Sequence, residues 1–163
     1  MEIKKYTHNE LVKHAAQFLR RKHILVLTEL VGGCGEEADA IGWNSSGMAT
    51  LIECKSTHSD FISDKKKWFR HSSSSGMAAF RYYLTNEGVV DLKELPENWG
   101  LIELKNGRFR TFRKAEFQLY NANYEIQKIL SAVRRIGKET PEGISVNFYT
   151  YQTKCVATMG VSL

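Results

Sequence analysis

Asp39, Glu53 and Lys55 are charged residues in places where a chain usually puts none. They fall in two strand-like runs, residues 38–43 and 48–55, among Ala38, Ala40, Ile41, Leu51, Ile52 and Cys54. Those neighbours are apolar and call for at least half-burial. A carboxylate near a core costs several kcal/mol unless it is paired or holds a cation. Side chains alternate faces along a strand, so Glu53 and Lys55 point the same way, together with Leu51. Two carboxylates and a lysine at the ends of adjacent strands suit a divalent metal ion. The expectation is an ion shared by Asp39 and Glu53, with Lys55 opening into the same cleft.

What must position them is a β-hairpin. Asn44, Ser45, Ser46 and Gly47 are turn formers between the two β-rich runs. Upstream, Thr7-His8-Asn9-Glu10 followed by LVKHAAQFLRR has the capping-box pattern of a helix start. Residues 23–30, HILVLTEL, read as a strand feeding the glycine-rich turn 31–35, which lacks the spacing of a phosphate-binding loop. Downstream, a helix is expected from about Ser59, a strand over 79–85, and a short turn or helix over 89–95 stopped by Pro96. Residues 99–105 and 108–113 form a second hairpin around Asn106-Gly107. A long amphipathic helix is expected over 116–136, with Tyr120, Tyr124, Leu130 and Val133 in the core. The tail 144–163 holds a strand-like run, VNFYTYQTKCV, whose partner the sequence does not identify.

A chain of 163 residues suits one domain with a proper core. Its net charge of +5 is compatible with an anionic polymer as partner. Cys34, Cys54 and Cys155 form no CxxC pair and read as reduced thiols. No apolar run approaches membrane-spanning length, and MEIKKYTHNE lacks a secretion signal, so the expected location is cytoplasmic.

The Glu-x-Lys triplet alone says little, because it occurs at Glu2–Lys4, Glu53–Lys55 and Glu103–Lys105. The last copy leads straight into the Asn-Gly turn and is expected to be solvent-facing and dispensable. The middle copy has a strand-borne acid on the neighbouring hairpin arm and a helix immediately after it. Asp39, Glu53 and Lys55 thus make D-x13-E-x-K across a hairpin, the form of the PD-(D/E)xK nuclease site.

The resemblance extends past the triad. EADAIGW, TLIECKSTHSDFISDKKKW, RYYLTNEGVV and DLKELPENWGLIEL, roughly from Glu36 to Leu104, resemble the MmcB-type DNA repair proteins of the restriction-endonuclease-like superfamily. Ala38 departs from the broader nuclease pattern, which often has proline there. The resemblance implies an α/β fold, a central mixed β-sheet flanked by helices, in a single domain over 1–163. Its core would span about 7–116, and residues 117–163 have no counterpart. It implies a metal-dependent nuclease acting on DNA in repair, phage or mobile-element processing, using Mg²⁺ with Mn²⁺ able to substitute. Phosphodiester hydrolysis needs a nucleophilic water and neutralised phosphate oxygens, and Mg²⁺ supplies both.

Asp39 and Glu53 would be the ligands, with the backbone carbonyl of Cys54 as a third, and Lys55 would orient water or stabilise the transition state. Glu10 reads equally as the partner of Thr7 in the capping box and as an acid reaching the ion. Ser56, Lys65, Lys67 and Trp68 are the candidate DNA contacts, although a core anchor is the better reading of Trp68. His58 reads as a surface histidine, Asp60 and Asp64 as helix-start caps or solvated acids, and Arg108, Arg110, Arg113 and Lys114 as a solvated hairpin face. Two other functions compete: a non-catalytic DNA-binding module of the same fold, and an assembly protein dimerising through the tail and the Tyr-rich helix.

Overall fold

A computed structural model of the chain describes residues 4–29, 37–67, 76–136 and the backbone of 146–148. Thr7 starts α1 (His8–Leu19) by the reciprocal bonding its sequence predicts: the Glu10 amide donates to Thr7 Oγ1, and the Glu10 carboxylate accepts from the Thr7 amide at 2.9 Å. The α1 stripe of Leu11, Val12, Ala15, Ala16 and Leu19 is buried. β1 (Leu25–Thr28), β2 (Ala40–Trp43) and β3 (Ala49–Lys55) follow as antiparallel neighbours. The turn between β2 and β3 is held by Asn44 Oδ1, which accepts from the amides of Ser46 and Met48, while Gly47 takes the left-handed φ of 77°.

A parallel neighbour requires a crossover, and α2 (His58–Lys65) lies on the link from β3 to β4 (Phe80–Asn86). A 3-10 turn at Leu92–Glu94 leads to β5 (Gly100–Lys105), also parallel, and β6 (Arg108–Arg113) returns antiparallel. Asn106 and Gly107 both have positive φ, 47° and 76°, as a two-residue hairpin turn of the right twist requires. After α3 (Ala122–Ile136), β7 (Val146–Phe148) pairs with β1, which supplies the partner of the strand-like tail. The result is an α/β fold around a seven-stranded mixed sheet, ordered β6-β5-β4-β3-β2-β1-β7. α1 covers one face over Val26, Ile52, Cys54, Leu84 and Ile102. Phe61 of α2 and Ala132 of α3 cover the other, over Leu27, Ile41, Leu51 and Tyr83. No helix among the described residues is long and apolar enough to cross a membrane.

Two expectations need correction. The C-terminal helix begins at Ala122, not Glu116, because the amides of Glu116, Gln118 and Asn121 are spent on Asn98, Ala79 and Gly76 carbonyls in an extended run. Tyr120 and Tyr124 are half-buried, but Leu130 and Val133 are exposed, at 56% and 55%. Polar bonds select the inward face of α3: Glu125 accepts from the Trp43 indole and the Ala78 amide, both at 2.9 Å.

The second correction concerns Glu103, which is buried and accepts from the Gly88 amide at 3.0 Å. Only Lys105 is exposed, paired with Glu87 at 2.7 Å. The β4–β5 connection crosses that face and needs an acceptor. Glu103→Ala is therefore expected to lower stability by about 1–3 kcal/mol in thermal melts, and Lys105→Ala by under about 0.5 kcal/mol. Equal melting temperatures for the two variants would refute this.

Candidate functional site

β3 is flanked by β2 and β4, and strand alternation places Leu51, Glu53 and Lys55 on the face shared with α2. Glu53 is 1% and Lys55 8% exposed. The Lys55 ammonium lies 3.2 Å from Glu53 Oε2 and 3.3 Å from Asp64 Oδ1 on α2. Asp39 immediately precedes β2, where its carbonyl accepts from the Glu29 amide and its Oδ2 accepts from the Cys54 amide at 2.6 Å. Its Oδ1 is 3.5 Å from His8 Nε2 at the start of α1. The hairpin thus brings Asp39 to the strand end that carries Glu53 and Lys55.

Electrostatics register that proximity. Burial first, and the Glu53 charge second, push Asp39 up to about 6, against the opposing pull of Lys55, the Cys54 amide and His8. Burial alone would depress the Lys55 ammonium, but Glu53, Asp64 and Asp39 outweigh it and hold it above the ordinary lysine range. All three residues therefore belong to one electrostatic unit.

Asp64 is the member that sequence reasoning missed. It is not a solvated helix acid but is 2% exposed, and its Oδ2 accepts from the Tyr83 hydroxyl at 2.9 Å. Lys67 Nζ approaches its Oδ1 at 2.9 Å. One signal was available: Asp64 follows Phe61 by three residues, so both share the buried face of α2. Above Lys55 opens a shallow cleft of about 280 Å³, lined also by His8, Asp60, Ser63, Asp64 and Lys67.

The remaining candidates are placed as follows. The Glu10 carboxylate is taken up by Thr7 and lies 3.5 Å from Lys4, so the α1 side chain that reaches Asp39 is His8. The Cys54 thiol packs on the opposite face beneath α1, where burial pushes it well above the ordinary thiol range. Cys54 reaches the site through its amide. Ser56 Oγ donates to Asp60 Oδ2 at 3.0 Å, and Ser56 O accepts from Asn86 Nδ2. Lys65 is a staple instead of an open phosphate contact: its ammonium donates to the Glu94 carbonyl at 2.7 Å and sits over the Phe61 ring. His58 pairs with the Glu94 carboxylate at the surface. Lys67 remains at the cleft mouth, half-exposed, and Trp68 lies outside the described residues.

Among the described residues, no group of three or more His, Cys, Asp or Glu side chains is arranged to hold a metal ion. An acid pair is nevertheless a donor set that suits Mg²⁺, which keeps several waters and completes its octahedron with substrate oxygens.

No family model matches the chain, and no curated protein matches it. A solved structure described as the SPO1766 protein of unknown function from Silicibacter pomeroyi is similar, with a TM-score of 0.61 at 21% identity. The match covers 83% of this chain and 91% of that one, and at such identity it shows a shared fold alone.

Proposed function

We propose that the protein is a Mg²⁺-dependent nuclease with a restriction-endonuclease-like fold that hydrolyses DNA phosphodiester bonds, in repair, phage or mobile-element processing, with Mn²⁺ able to substitute. One observation carries the reading: the hairpin sets the Asp39 and Glu53 carboxylates at one sheet end, near enough to repel, beside the Lys55 ammonium. A dication between the acids would relieve that repulsion and the burial cost together. When bound there, Mg²⁺ supplies an ionised water and neutralises phosphate oxygens. Asp39 is oriented by the Cys54 amide, Glu53 by Lys55, and Lys55 sets a point charge where a scissile phosphate would lie. Lys67 at the cleft mouth suits a phosphate contact.

Calorimetry with Mg²⁺, beside cleavage of single-stranded, duplex and branched DNA, tests the reading. Wild type is expected to bind Mg²⁺ and cut. Glu53→Gln is expected to lose both, while its metal-free DNA binding holds or tightens because part of the acid pair's repulsion is gone. Wild type that neither binds Mg²⁺ nor cuts any of these substrates with Mg²⁺ or Mn²⁺ refutes it.

A second reading is a DNA-binding module of the same fold without turnover. It is favoured by the Lys55 ammonium 3.2 Å from Glu53, with which an incoming ion must compete. DNA binding indifferent to Mg²⁺ would identify that module.

A further inference from the structure

Asp64 divides its two oxygens between the core and the cleft. Oδ2 accepts from the Tyr83 hydroxyl, while Oδ1 faces the ammonium groups of Lys55 at 3.3 Å and Lys67 at 2.9 Å. Tyr83 is itself fixed, stacked on Trp99 with ring centroids 4.6 Å apart and edge-on to Phe61 at 5.0 Å. The aromatic core therefore fixes Oδ2, and Oδ1 shares the Lys55 ammonium with Glu53 Oε2. We infer that Asp64 is a positioning residue: it shares the Lys55 ammonium with Glu53 and holds it at the cleft, so that Lys55 neutralises Glu53 only in part and leaves the Asp39–Glu53 pair enough negative charge to take up a divalent cation.

This inference rests on the proposed reading of that pair as an ion site. Formal charge supports it. Asp39, Glu53, Asp60 and Asp64 set against Lys55 and Lys67 leave two negative charges in excess, which a dication neutralises. Without Asp64 that excess is halved, and a cation has less to bind.

The test uses the full chain with two substitutions. Asp64→Asn keeps the shape and an acceptor for Tyr83 but removes the charge; Tyr83→Phe removes only the hydroxyl that orients Asp64. Proton exchange of the Lys55 ammonium with water is followed in metal-free protein by ¹⁵N-resolved NMR, the signal being assigned by its loss in Lys55→Arg. Exchange is expected to quicken about tenfold in Asp64→Asn, and less in Tyr83→Phe, as a charge-assisted bond is lost. In calorimetry the Mg²⁺ affinity of Asp64→Asn should fall about tenfold, and kcat should fall while KM for DNA stays within about threefold.

Ammonium exchange unchanged in both variants overturns the inference. So does a lowered melting temperature with exchange and Mg²⁺ affinity at wild-type values, which leaves Asp64 a structural staple. Should wild type bind no Mg²⁺ while Asp64→Asn still releases the Lys55 signal, the ion-site reading falls and the holding of Lys55 by Asp64 stands. If Asp64→Asn does not fold, the exchange in Tyr83→Phe decides.

Discussion

Lys55→Ala is expected to slow Mg²⁺-dependent DNA cleavage by about two orders of magnitude or more, roughly 3 kcal/mol of lost transition-state stabilisation. Spacing alone suggests that this variant keeps both metal ligands and binds the ion as before. The packing adds a second effect. Lys55 is the shared counter-ion of Glu53 and Asp64, which are 1% and 2% exposed. Removing one partner of a buried ion pair costs about 3–5 kcal/mol, because the other charge is left in a poor solvent. A divalent cation can replace part of the missing charge. Mg²⁺ should therefore raise the melting temperature of Lys55→Ala more than that of wild type. Single-turnover cleavage and melts with and without Mg²⁺ check both effects. A variant as stable as wild type without metal, or one that cuts at the wild-type rate, contradicts the assignment.

Asp39→Asn should separate stability from function. In the folded protein burial and Glu53 raise Asp39 from 3.8 to about 6. The folded state therefore holds this proton more tightly than the unfolded chain does. The stability it contributes is complete below about pH 4 and is lost as pH rises through about 6. At pH 7 the ionised carboxyl costs about 3 kcal/mol relative to an unshifted one. Asparagine keeps an oxygen for the Cys54 amide and carries no charge. Metal-free Asp39→Asn should accordingly be more stable than wild type at pH 7, by up to about 3 kcal/mol, and the advantage should vanish near pH 4. The same variant should lose Mg²⁺ binding and cleavage. Chemical denaturation across pH tests the first half and calorimetry the second; a variant less stable than wild type at pH 7 would show that the carboxylate is needed for folding.

The parts of the molecule that the sequence makes legible are those set by neighbours in the chain. The Thr7–Glu10 capping box, the Asn44 turn and the Asn106-Gly107 turn each need only a few consecutive residues, and all form. The facing of Glu53 and Lys55 follows from strand alternation, and their meeting with Asp39 from the hairpin register. What escapes is long-range. Asp64 looks like any helix acid until the Tyr83 hydroxyl, 19 residues on, is seen beneath it. Lys65 looks like a free cation until the Glu94 carbonyl claims it, 29 residues away. Glu103 resembles Glu53 in LIELK and LIECK, yet the Gly88 amide makes one a backbone acceptor and the Lys55 ammonium makes the other part of the cluster. The α3 face fails for the same reason: its apolar periodicity is plain, but Trp43 and Ala78 select the Glu125 side.

The central place of β3 has a kinetic consequence. It is bonded to β2 through residues 49–52 and to β4 through residues 50–55, whereas β6 and β7 each have a single neighbour. Sheets open from their margins, so the brief fluctuations that fray β6 or β7 are expected to leave β3 closed, and the amide hydrogens of residues 50–52, bonded on both sides, should be among the slowest to exchange. Glu53 and Lys55 follow directly on the same strand. Asp39 stands just before β2, and the Cys54 amide ties its carboxylate to the same strand. Both carboxylates are thereby anchored to an interior strand of the sheet.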